Sequence, residues 1–136
     1  MKTITLRWVD GQMMVGTDSG NHSVVIGKSS DSDSFQGMKP ADLLLMAAAS
    51  CATWDIIEIL QKQREPIQDV KVECSGEQQQ DPPWTFTRVH VHYIFKGAVK
   101  MEKVEKAIRL SEDKYCSVIS TLRLGIPVTS DFEVVE

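Results

Sequence analysis

The sequence predicts an α+β fold, and three features carry that expectation. Short stretches of alternating polar and apolar residues, bounded by Gly, Asp and Pro, read as strands, while two other stretches repeat apolar residues at helical spacing. The two kinds are interleaved as β-β-β-α-β-β-α-β, which is neither a doubly wound alternation nor an all-β pattern. Mostly antiparallel sheets with helices packed against them are the expected result. A chain of 136 residues and 15.2 kDa can bury about two-thirds of its unfolded surface, enough for one core, so residues 1–136 are expected to form a single domain.

Ile4, Leu6 and Trp8 alternate with Thr5, Arg7 and Val9, and Asp10-Gly11 supplies a turn that tolerates positive φ. Met13 to Gly16 returns, Asp18-Ser19-Gly20 turns again, and His22 to Gly27 forms a third strand. Lys28 to Lys39 is rich in Ser and Asp and has neither period, so it reads as a solvated loop, with a lid as the lesser alternative. Pro40 suits the first turn of a helix, Asp42 places a carboxylate near its positive end, and the run continues to Lys62 before Gln63-Arg64-Glu65-Pro66 stops it. From Leu43 to Ala52 this helix is apolar all round, so it should be covered on every side. Asp55, Glu58, Gln61 and Lys62 restore a polar face later.

Val70, Val72 and Cys74 form the next alternating run, and Val89, Val91, Tyr93 and Phe95 form the clearest strand in the chain. Met101, Val104, Ala107 and Ile108 recur at helical spacing, with Glu102 four residues before Lys106. Tyr115 to Leu122 either extends this helix or forms a separate turn. Gly125 and Pro127 break the pattern, and Val128 to Val135 is the last strand.

With 15 Lys+Arg against 19 Asp+Glu the net charge is -4, which offers no basic footprint for nucleic acid or an anionic membrane surface. No stretch is expected to reach the ~18 or more apolar residues a spanning helix requires, and the first residues alternate without a signal-peptide core; a cytoplasmic protein is expected. Three widely spaced cysteines suit a reduced compartment better than a disulfide framework. His90 and His92 share one strand face and can in principle chelate zinc, but no third ligand stands near them in sequence, so they read as a solvated face and no metal is expected.

Cys74 lies on the same face as Val70 and Val72, where packing explains it. Cys51, among alanines, and Cys116, where an apolar pattern gives way to Ser and Thr, lie on different elements; either both are core residues or they form a pair, and spacing alone does not decide. The segment Lys39-Pro40-Ala41-Asp42 through Ala47-Ala48-Ala49-Ser50-Cys51-Ala52-Thr53-Trp54 resembles the Pro-containing, Ala-rich central helix and first cysteine of the OsmC/Ohr superfamily, the osmotically induced and organic hydroperoxide resistance proteins. Lys114-Tyr115-Cys116-Ser117-Val118 is similar to that superfamily's second-cysteine motif, and the Trp8-Val9-Asp10-Gly11 hairpin and the Arg64-Glu65-Pro66-Ile67 helix exit also fit.

The resemblance implies an intertwined homodimer with long Cys-bearing helices at its centre. It also implies a thiol peroxidase that reduces organic hydroperoxides without metal or other cofactor. Cys51 would be the peroxidatic cysteine and Cys116 the resolving one, with a thiol or dithiol as reductant. Asp42, Asp55 and Tyr115 would support the substrate pocket. In the peroxidase branch an arginine from the N-terminal hairpin and a glutamate after the helix-start proline assist the first cysteine. Here Gln12 follows Asp10-Gly11, and Ala41 then Asp42 follow Pro40. Arg7, Arg88 and Arg123 are the candidate replacements for that cation. A helix starting at Pro40 places Cys51 about 16 Å along the axis, too far for its own N-terminal field to help. A non-catalytic redox sensor or small-molecule-binding protein on the same scaffold is the alternative.

Overall fold

The computed structural model describes all residues from Met1 to Glu136. The chain forms two compact units, Met1–Leu44 and Leu45–Glu136.

The first unit is built on an antiparallel meander of β1 (Thr5–Asp10), β2 (Met13–Thr17) and β3 (Ser23–Ile26). The Asp10-Gly11 turn forms as its residue types require, with Gly11 at φ +56° and a bulge between Trp8 and Asp10. The Trp8 indole N–H donates to the Gly11 carbonyl at 2.8 Å. The Lys28–Lys39 segment is pinned rather than free: Ser30 donates to the Asp10 carboxylate from both its backbone N–H and its hydroxyl, and Met38 N–H bonds back to the Val25 carbonyl. Gly27 makes this return possible. Its φ is +84°, and a Cβ there would stand 2.0 Å from the Gln12 carbonyl oxygen.

The second unit contains a sheet ordered β4-β5-β6, from β4 (Asp69–Gln78), β5 (Phe86–Lys96) and β6 (Val128–Val135). β4 and β5 are antiparallel, as a hairpin must be. β6 runs parallel to β5, because the chain between them crosses over through α2 (Met101–Leu110), a π-helical turn (Ser111–Tyr115) and α3 (Ser117–Leu122). The alternation Val89, Val91, Tyr93, Phe95 faces the core and is fully buried there, with Val104, Ala107 and Ile119 from the helices.

α1 spans Pro40–Lys62, the bounds its proline and its polar exit predict. Ala48, Ala52, Ile56 and Leu60, four residues apart, form the stripe that enters the core. The expectation that the first half of α1 is covered on every side is not met within this chain: Met46 is 46% exposed, and beyond that half Trp54 is exposed too. A second expectation also needs correction. α1 contains an 18-residue window of mean hydropathy 1.7 and is long and apolar enough to cross a membrane, because Ser50 and Thr53 interrupt the apolar run without making the window polar. The buried alanine stripe is what a core helix presents.

Candidate functional site

The site forms where α1 meets the π-turn and the start of α3. Ser111 opens that turn and staples it to α1, its hydroxyl donating to the Ala52 carbonyl at 3.0 Å and lying 3.2 Å from Asp55 Oδ2. Cys116 N–H closes the turn onto the Ser111 carbonyl at 2.7 Å. Cys116 then adopts an extended conformation and caps α3, its sulfur accepting from Ile119 N–H at 3.4 Å. This places Cys116 and the next two residues against Cys51, one turn before Asp55 on α1. Ser117 Oγ is 3.9 Å from Cys51 Sγ, and the Val118 and Ser117 N–H groups and the Cys116 thiol are the other groups that act on the same sulfur. Cys116 is fully buried, Cys51 half-buried, and both are free thiols.

The two thiols are driven in opposite directions. Burial pushes the Cys51 thiol up, but donation from Val118 N–H, the Cys116 thiol, and the Ser117 hydroxyl and N–H outweighs it and holds Cys51 below the ordinary thiol value. Burial pushes Cys116 up to about 11; Ile119 N–H partly offsets this, while the neighbouring Cys51 adds to it. Cys74, half-buried on β4, is also raised by burial and belongs to the packing of the sheet.

The groups acting on Cys51 within its own unit are neutral, and Arg88 and Arg123 do not fill the expected role. Arg88 pairs with Glu77 at 2.7 Å, and Arg123 pairs with Glu112 and Asp113 at 3.2 and 2.8 Å; Arg7 belongs to the first unit. Asp55 is engaged by Ser111. Asp55 and Tyr115 line one groove of about 490 Å³ together with Glu58, Lys62 and Leu110, but neither cysteine lines it. Asp42 sits in the first turn of α1, nine residues before Cys51, about 13 Å along the helix.

His90 and His92 do find a carboxylate, which sequence spacing did not reveal: the parallel register brings Asp131 within 3.0 Å of His90 Nε2 and 2.6 Å of His92 Nδ1. The Asp131 hydrogen bond raises His92 above its ordinary value despite partial desolvation. No group of three His, Cys, Asp or Glu side chains is spaced to hold a metal ion.

Residues 30–131 match the family described as OsmC-like protein. The chain belongs to the OsmC-like family. Among its relatives is Protein YhfA of Escherichia coli (strain K12), 33% identical over 132 residues that cover 96% of each chain. An OsmC-like protein from Mycoplasma pneumoniae shares the fold with a TM-score of 0.84 at 13% identity, covering 100% of this chain and 98% of that one. The organic hydroperoxide resistance protein OhrB of Bacillus subtilis superposes with a TM-score of 0.65 at 16% identity over 98% of each chain. The expected superfamily and α+β fold are thus those observed.

Several members of this OsmC-like site were missed in sequence. Ser111 carries no charge and no motif of its own, and Ser117 and the Val118 amide, although inside the second-cysteine motif, carry no charge that marks them as partners of Cys51. Glu112 was missed because it lies in what reads as the polar continuation of α2, yet it is 4% exposed and accepts from Tyr93, Ser130 and Arg123. The available signal was Cys116 followed by Ser and two β-branched apolar residues, a short capped turn rather than a continuing helix.

Proposed function

We propose that this OsmC-like protein is a thiol peroxidase that reduces organic hydroperoxides as a homodimer, with Cys51 attacking and Cys116 resolving. The observation that carries the reading is the Cys116 segment brought against Cys51 across 65 residues of sequence, with Ser117 Oγ 3.9 Å from Cys51 Sγ and the two thiols shifted in opposite directions, Cys51 below and Cys116 above the ordinary value. The Cys51 thiolate forms a bond to one peroxide oxygen, the O–O bond breaks, and the alkoxide takes a proton from solvent to leave as alcohol. The Cys51 sulfenic acid then condenses with the Cys116 thiol; the S–S bond forms and hydroxide leaves as water with the thiol proton. Two equivalents of an external thiol, or one dithiol, reduce the disulfide and are themselves oxidised. The apolar surround of Cys51, with Ala48 and Ala52 on the same helix, suits an alkyl peroxide better than hydrogen peroxide.

Dimerisation is supported by apolar side chains that each unit leaves uncovered: Ile4 just before β1, Leu6 and Trp8 on β1, and Met46 and Trp54 on α1. The neutral surround of Cys51 favours a second reading, a redox sensor oxidised once and not turned over. Consumption of cumene hydroperoxide with a dithiol donor separates the two. Sustained turnover that disappears in Cys51→Ser supports the peroxidase, whereas stoichiometric oxidation without turnover supports the sensor.

A further inference from the structure

We propose that Ser117 is a catalytic residue, its hydroxyl donating to the Cys51 thiolate and, with its own backbone N–H, taking the part a cation would otherwise play. The inference rests on reading Cys51 as the attacking thiol. Its geometry is independent of that reading: Ser117 Oγ stands 3.9 Å from Cys51 Sγ, within reach for a sulfur acceptor, and the backbone N–H of the same residue addresses the same sulfur.

Ser117 is well held for the task. It is the first residue of α3, immediately after the Cys116 cap, and its carbonyl accepts from the Thr121 hydroxyl at 2.7 Å. Its side chain is not needed to cap the helix, because the Cys116 sulfur already accepts from Ile119 N–H. The one side-chain contact it makes is to the candidate nucleophile. The hydroxyl carries two consequences. Donation to sulfur favours the ionised form without adding a formal charge, and it fixes the direction in which the free lone pairs point. Throughout the reaction Ser117 keeps its proton: the new bond is between Cys51 sulfur and a peroxide oxygen, and the proton on the departing alcohol comes from solvent.

The test is the pH dependence of Cys51 alkylation by iodoacetamide in the reduced protein, read at the Cys51 peptide by mass spectrometry. Three substitutions grade the interaction. Ser117→Thr keeps the hydroxyl, Ser117→Ala removes it, and Ser117→Pro removes both hydroxyl and N–H at a helix position where proline is well tolerated. Ser117→Ala should slow alkylation at pH 7 by about threefold to tenfold while leaving the alkaline limiting rate unchanged, Thr should restore most of it, and Pro should slow it further. An alanine profile that superimposes on wild type, or a threonine profile as impaired as alanine, overturns the assignment. Cumene hydroperoxide kinetics on the same variants give the second readout. A parallel fall in kcat/KM assigns the contact to the reaction, and an unchanged kcat/KM beside a shifted alkylation profile refutes the catalytic role. Wild type that consumes no hydroperoxide refutes the peroxidase reading instead, and the alkylation series still reports whether Ser117 acts on Cys51.

Discussion

Replacing Glu112 by alanine is expected to destabilise the protein by about 3 kcal/mol. Glu112 is 4% exposed, and its carboxylate accepts from the Tyr93 hydroxyl at 3.0 Å, the Ser130 hydroxyl at 3.0 Å and Arg123 Nη2 at 3.2 Å. Tyr93 is fully buried, so deleting its acceptor strands a hydroxyl in the core, which costs about 1–3 kcal/mol. The lost bonds to Arg123 and Ser130 add less, because the Arg123 side chain is 32% exposed and recovers water. Breaking a fully buried charge pair costs about 3–5 kcal/mol, and this half-exposed arginine places the sum at the lower end. Glu112→Gln keeps an acceptor for Tyr93 and should cost about half as much. The assay is urea unfolding at fixed protomer concentration, since the midpoint of the proposed dimer depends on it. Tyr93→Phe and Glu112→Ala should couple by about 1 kcal/mol in a double-mutant cycle. A loss below about 1 kcal/mol for Glu112→Ala, with no coupling to Tyr93, would refute the reasoning. The consequence reaches the site, because Glu112 lies in the turn that presents Cys116.

Three other outcomes follow from the geometry. Cys116→Ser should consume one equivalent of hydroperoxide per chain in forming the Cys51 sulfenic acid and, under excess peroxide, a second as Cys51 passes to sulfinic acid, and then stop; continued turnover with a monothiol as efficient as wild type counts against a resolving role. Stability should fall on the alkaline side: an unfolded Cys116 releases its proton near 9.0 and the folded one near 11, so the contribution is complete below pH 9 and lost by pH 11, at most about 3 kcal/mol. Cys116→Ser should flatten that limb but not abolish it, because burial and Glu112 also keep the Tyr93 phenol protonated well above its ordinary range. His92, raised by Asp131, should titrate above an ordinary histidine in NMR; its pairing is complete below the unfolded value and lost as pH rises through the folded one, and Asp131→Asn should bring it down.

The element order was legible because each element announces itself locally. Pro40 and the polar exit after Lys62 bound α1, and the Val89 to Phe95 alternation marks β5 with its buried face. Pairing was less legible. A last strand that alternates does not say which neighbour it joins, so the parallel β6 and its Asp131 beside His90 and His92 came only from the fold. The π-turn was invisible for the same reason that Glu112 was: a polar segment after an amphipathic helix looks solvated until something buried faces it. For the site, the resemblance named Cys51 and Cys116, but the residues that act on Cys51 were sought among cations. Backbone amides and a serine hydroxyl leave no charge pattern, and their effect depends on a cap conformation that no spacing rule contains. The missing cover on α1, where Trp54 stands exposed, is a property of the pair of chains if the protein is the proposed dimer.

The most direct measurement is the product of treating the fully reduced protein with one equivalent of cumene hydroperoxide. Each chain carries three thiols, and the account predicts that two disappear together, leaving Cys74 free and a Cys51–Cys116 disulfide identifiable in the peptide map. Cys51 oxidised beyond the sulfenic state while Cys116 stays a free thiol, or three thiols still present after the peroxide is offered, would contradict it.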